Sequence, residues 1–166
     1  FYQLIFKLKA KDEISFKDQI QGHYQVNLAQ DCGDFIVKRR DGFFAYQLVV
    51  VVDDAEQGIT DIVRGADLLS STPQQIYLQQ LLQLPATSYA HLPVAMQKTG
   101  NKLSKSHQDL AIRKQNPAEI LSAVLDYLQQ SPPPELASFS VDEIWQWAFE
   151  NWNISQIRPE REIIID

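Results

Sequence analysis

The sequence predicts an α/β fold: a parallel sheet with a crossover helix, followed by a small helical part. Three observations predict it. β-prone pieces lie between polar or glycine-containing turns in the first forty residues. A strand–helix–strand spacing runs from about residue 58 to 94. Two capped helical patterns follow residue 116.

Ile14-Ser15-Phe16, Tyr24-Gln25-Val26 and Phe35-Ile36-Val37 read as short strands. Arg40-Asp41-Gly42 is a turn that restarts the chain at Phe43. Phe43–Val52 is open to two readings. Its valines favour a buried strand, but an apolar run without alternation does not separate a strand from a buried helix. Ile59, Ile62 and Val63, bracketed by Gly58 and Gly65, make the next strand. Thr72 as N-cap, Pro73 at the first helical position and Gln75 as capping-box partner predict a helix start. Ile76, Leu78, Leu81, Leu82 and Leu84 would form its apolar face. Tyr89–Val94 reads as the returning strand, so the unit is βαβ, with parallel pairing and a right-handed crossover. Asn116, Pro117 and Glu119 open a helix carrying Ile120, Leu121, Val124, Leu125 and Leu128, and Ser131 to Pro134 bars any continuation. Ser140 with Glu143 opens another, holding Ile144, Trp145, Ala148 and Trp152. The junction between the α/β and helical parts falls near 110–116.

Composition narrows the function classes. The chain has 166 residues, one cysteine and a formal net charge of -6. The longest apolar run, Leu48 to Val52, is far short of the roughly 18 residues a spanning helix needs. No secretory leader is visible, and the chain begins at Phe1, so a missing N-terminal portion is expected. Cys32 cannot form an internal disulfide framework or a cysteine-rich zinc site, and reads as a reduced cytosolic thiol. His23, His91 and His107 lack metal-ligand spacing, so no metal site is expected within the chain.

The charge is uneven. Residues 98–114 hold Lys98, Lys102, Lys105, Arg113 and Lys114 against Asp109, between acidic flanks. Such an island suits a polyanion, and equally a solvated loop. Within it lies Lys102-Leu103-Ser104-Lys105-Ser106. Two lysines three apart on a glycine-preceded loop can hold the charge that develops on the phosphates during in-line attack. The pattern is not a P-loop.

The chain resembles class I glutamyl-type aminoacyl-tRNA synthetases. The pentapeptide matches their K-M-S-K-S signature, with Leu103 in place of Met. Asp41-Gly42-Phe43-Phe44-Ala45-Tyr46, Val51-Val52-Asp53-Asp54, Gly58-Ile59-Thr60 and Ile62-Val63-Arg64-Gly65-Ala66-Asp67 extend the likeness. Ser71-Thr72-Pro73-Gln74-Gln75 and Tyr89-Ala90-His91-Leu92-Pro93 continue it. It is close over residues 35–110 and loose outside them. Arg64-Gly65-Ala66-Asp67-Leu68, and the sixty residues after Ser106, resemble the glutamyl-queuosine tRNA(Asp) synthetase branch.

The resemblance implies the second half of a Rossmann-type catalytic domain with a helical appendage. Residues 1–40 would end the insertion region, 41–112 would be the catalytic half and 113–166 a truncated helical domain. It also implies that Phe43–Val52 is partly helical. Tyr46 and Arg64 would hold glutamate, Arg64 through a guanidinium that grips a carboxylate. Lys105, Lys102 and Ser104 would bind ATP, with both lysines catalytic. The implied cofactors are ATP with Mg2+, and the implied partners glutamate and tRNA(Asp). A cytoplasmic monomer with no membrane contact is expected. The H-I-G-H element, the upstream glutamate segment and the zinc cysteines of the family are not found in these residues. The chain therefore reads as a C-terminal half, with zinc expected only in the other half and no glutamate-dependent pyrophosphate exchange from these residues alone.

From the residues themselves, Arg64 could instead be an ion-pair partner of Asp61 or Asp67, and Tyr46 a core or rim aromatic. Asp53 and Asp54 could be a metal pair or carboxylates capping an element. A fragment of a conventional glutamyl-tRNA synthetase and a non-catalytic RNA-binding paralogue are the alternative functions.

Overall fold

The computed structural model describes residues 3–7, 13–103 and 116–165. The chain divides into two compact units, Phe1–Leu92 and Pro93–Asp166.

The first unit holds a four-stranded sheet. Strands β2 (Glu13–Asp18) and β3 (Gly22–Asn27) form an antiparallel hairpin with Glu13 opposite Asn27 and Asp18 opposite Gly22. Gly22 at φ 81° provides the left-handed turn residue. Strands β5 (Asp61–Gly65) and β6 (Ser88–Leu92) are parallel, with Arg64 opposite His91. Strand β2 joins β6 in parallel where Asp18 meets Tyr89, so the sheet order is β3-β2-β6-β5. A separate antiparallel pair is made by β1 (Leu4–Phe6) and β4 (Phe35–Lys38).

Two helices cover this framework. Helix α1 is Tyr46–Glu56 and α2 is Thr72–Leu81, preceded by a 3-10 segment over Ala66–Ser71. They pack a core of Phe35, Val51 and Leu78, with Phe6, Val37, Val50 and Leu84 against it. The valine-rich run is thus helical. As a strand it would need apolar cover on both faces. As a helix it buries Val51 and leaves Val49 and Asp53 outward, so packing overrides β propensity.

The βαβ reading holds, since β5, α2 and β6 follow in order and the two strands pair in parallel. The start of α2 differs. Its N-cap is Ser71, without a side-chain cap bond, and Thr72 is the first helical residue. No capping box forms. The Thr72 and Gln75 side chains, both buried, face Arg64 instead. The apolar face is also smaller than the leucines suggest, for Leu81 and Leu82 are exposed while Leu78 is buried.

In the second unit, strands β7 (Val94–Met96) and β8 (Glu162–Ile164) are parallel. The predicted Tyr89–Val94 strand is therefore two strands interrupted at Pro93, which lacks a backbone donor. Helix α3 (Pro117–Tyr127) starts where predicted, its Asn116 side chain accepting from the Ala118 N–H. Helix α4 (Val141–Asn151) has the predicted capping box between Ser140 and Glu143. Ala118, Leu125, Leu136, Ile144 and Ala148 form the core between them. Ile144 is almost fully enclosed, so Ile144→Ala should cost about 2–5 kcal/mol, read as a lower urea midpoint. The sequence junction at 110–116 falls mostly on residues outside those described.

Candidate functional site

Strand period brings the site together. In β5, Ile62 and Arg64 turn towards the protein while Asp61 and Val63 face outward. The register sets Arg64 beside His91 of β6, and Asp18 closes β2 on the other side of β6. Asp18, His91 and Arg64 therefore sit at the carboxyl ends of three mutually parallel strands. That is the edge where open α/β sheets place their ligands.

The polar contacts are continuous. Asp18 Oδ1 accepts from the backbone N–H groups of Ile20 (3.0 Å), Gln21 (2.9 Å) and His91 (3.1 Å). Asp18 Oδ2 lies 2.6 Å from His91 Nδ1. Arg64 Nε donates to His91 Nε2 at 3.1 Å. Arg64 Nη2 donates to Thr72 Oγ1 at 2.8 Å and to Gln75 Oε1 at 2.7 Å. Because Arg64 can only donate, the Gln75 amide is oriented, and its Nε2 donates to Gln47 Oε1 at 2.7 Å. The Thr72 hydroxyl donates in turn to the Leu68 carbonyl. The guanidinium also lies over the Tyr89 ring, 5.5 Å from its centroid, and Tyr89 stacks on His91.

Asp18, His91, Thr72 and Gln75 are each no more than 1% exposed, whereas Arg64 is half-buried. Burial by itself would raise the Asp18 carboxyl. The hydrogen bond from His91 and those from the Gln21, His91 and Ile20 backbones outweigh burial and hold it below its ordinary value of 3.8.

The predicted residues fall as follows. Arg64 is the centre of the cluster. Its partners here are the neutral Thr72 and Gln75 and the imidazole of His91, while Asp61 binds the Thr60 and Ser88 hydroxyls. Tyr46 is the first residue of α1 and about half exposed; its neighbour Gln47 joins the Arg64 network through Gln75. Lys102 belongs to the second unit. A turn closed by Gly100 N–H to the Gln97 carbonyl brings it back opposite Met96. Ser104 and Lys105 lie outside the described residues. Asp53 and Asp54 both lie on α1, and among the described residues no three His, Cys, Asp or Glu side chains come together to hold a metal ion.

Sequence reasoning missed Asp18, His91, Thr72 and Gln75 as companions of Arg64. Two of them carried a signal. Asp18 falls on the same phase of β2 as the buried Ile14, and His91 interrupts an otherwise apolar central strand. Charged or polar groups on a core-facing phase need a partner there.

A half-buried arginine held by three protein acceptors at the carboxyl edge of a parallel sheet, in an α/β unit followed by helices, fits the catalytic domain of a synthetase. The chain belongs to the family of tRNA synthetases class I (E and Q), catalytic domain, which matches residues 2–127. It is similar to the Glutamyl-Q tRNA(Asp) synthetase of Aromatoleum aromaticum, 49% identical over 152 residues, covering 92% of this chain and 48% of that protein. The protein of the same name from Pseudomonas aeruginosa strain LESB58 is 48% identical over 145 residues, covering 87% of this chain and 50% of that one. The chain thus spans about half the length of these curated relatives. Its fold is that of a crystal structure of a glutamate tRNA ligase from Elizabethkingia meningosepticum in complex with its amino acid. That likeness has a TM-score of 0.70 at 21% identity, covering 93% of this chain and 34% of that one.

Proposed function

We propose that the complete protein is an ATP-dependent ligase that activates glutamate and transfers it to the queuosine base of tRNA(Asp). The observation that carries this is Arg64. Three of its five N–H donors are held by protein, and the two on Nη1 have no partner among the described residues. A guanidinium held through Nε and Nη2, with Nη1 unpartnered among the described residues, suits a substrate carboxylate. The names of the relatives, Glutamyl-Q tRNA(Asp) synthetase, support glutamate as that substrate and tRNA(Asp) as the acceptor.

In this reading Arg64 and Tyr46 bind glutamate. Lys102, Lys105 and Ser104 bind the phosphates of ATP, whose Mg2+ would travel with the nucleotide. Cleavage of ATP supplies the energy for the acyl transfer. The 41–112 segment acts as the catalytic half and 113–166 as its helical appendage.

The test is glutamate-dependent pyrophosphate exchange by the complete protein without tRNA. Exchange is expected with glutamate and not with glutamine. Exchange that appears only after tRNA is added would favour a conventional glutamyl-tRNA synthetase. In the same assay Lys105→Ala should lower kcat by about 10²–10³, because one stabiliser of developing charge is lost. Unchanged kcat would remove Lys105 from the site, and no exchange by the wild type under either condition would point to a non-catalytic paralogue.

A further inference from the structure

We infer that Asp18 and His91 are positioning residues for Arg64, setting the direction in which its guanidinium meets the substrate carboxylate. The inference rests on the glutamate-binding reading of Arg64 and adds two residues that reading does not use.

Donors and acceptors fix the arrangement. Arg64 Nε donates to His91 Nε2 at 3.1 Å, which calls for a lone pair there; Thr72 Oγ1 also lies 3.1 Å from Nε2, with its own hydrogen on the Leu68 carbonyl. The imidazole proton then lies on Nδ1, where Asp18 Oδ2 accepts it at 2.6 Å. Asp18 cannot turn away, because its other oxygen is held by three backbone N–H groups from Ile20, Gln21 and His91. Asp18 and His91 are buried, so water does not offer either a substitute partner. Nε is thereby held by His91 and Nη2 by Thr72 and Gln75, which leaves Nη1 as the nitrogen without a partner among the described residues. The carboxylate of Asp18 touches neither Arg64 nor a substrate; it acts through the tautomer of His91.

Asp18→Asn tests this with almost no change of shape. The three backbone donors hold the asparagine oxygen where Oδ1 was, so its NH2 group faces His91 Nδ1. The histidine proton then moves to Nε2, where it opposes the Arg64 N–H and turns to Thr72 Oγ1 instead. The complete protein, labelled with 15N at histidine and arginine, reports this directly. In the wild type we expect the Nδ1–H tautomer and an N–N coupling across the hydrogen bond between Arg64 Nε and His91 Nε2. In Asp18→Asn both should disappear. By analogy with outer-shell partners of metal ligands, KM for glutamate in pyrophosphate exchange should rise by about 10–100-fold. KM for ATP should stay close to wild type, which a general structural role would not allow.

A wild-type His91 protonated on Nε2, or lacking the coupling, overturns the proposal, and needs no variant to fold. So does an Asp18→Asn protein that loses the coupling yet keeps its KM for glutamate. A wild-type protein with no glutamate-dependent exchange overturns the proposed function instead, and the tautomer and coupling then decide the positioning by themselves.

Discussion

Arg64→Lys should nearly abolish glutamate activation in the complete protein while leaving the fold intact. Lysine keeps the charge but concentrates it on one nitrogen. It cannot reach His91, Thr72 and Gln75 together and still leave a nitrogen for the substrate. The expected loss is about 2–5 kcal/mol in transition-state stabilisation, or roughly 30- to 5,000-fold in kcat/KM for glutamate. KM for ATP should change little. Tyr46→Phe makes the useful comparison. Tyr46 is half exposed, so its hydroxyl competes with water, and its loss should cost about tenfold or less. An Arg64→Lys enzyme with wild-type kcat/KM for glutamate would rule out the assignment.

His91→Ala carries the second large effect, on stability. Removing the imidazole leaves Asp18 Oδ2 charged and without its donor in a site closed to solvent. Leaving a buried carboxylate oxygen without its donor costs about 3 kcal/mol or more, which a urea midpoint would show. The pH dependence separates this from simple loss of volume. In the wild type the Asp18 carboxyl is held below 3.8 by its hydrogen bonds, despite burial. Its contribution is therefore fully present above that value and is lost as pH falls through the lowered folded-state value. In His91→Ala the largest side-chain support is gone and burial gains weight. Protonating Asp18 then relieves a buried charge, so the difference between variant and wild type should shrink on acidification. A deficit that stays constant between pH 7 and 3 would mean that packing alone, not the Asp18–His91 bond, accounts for it.

Much of the fold was legible because local rules and tertiary structure agreed. Asn116 and Ser140 cap their helices as their residue types require. The hairpin strands and the parallel β5–β6 pair follow from β-prone pieces and from the length of the crossover. Where two rules competed, the local one lost. Thr72 and Gln75 have the spacing of a capping box, but the charged guanidinium of Arg64 is a more demanding partner than a backbone N–H. Leu81 and Leu82 have helical apolar spacing but reach beyond the core that Phe35 and Val51 provide. The valine run of α1 shows the same contest, with the neighbouring helix and strand deciding.

From the sequence alone came the class of fold, several of its elements and, through short motifs, Arg64 as a candidate residue. Those features depend on residues close together in the chain, whose spacing is directly visible. The sequence could not show what holds Arg64. Asp18 lies 46 positions before Arg64 and His91 27 positions after it. Their meeting depends on strand order and on a parallel register that sets Arg64 opposite His91 and Asp18 on the far side of the same strand. A shift of one residue in that register would turn His91 to the opposite face and leave the guanidinium without its partner.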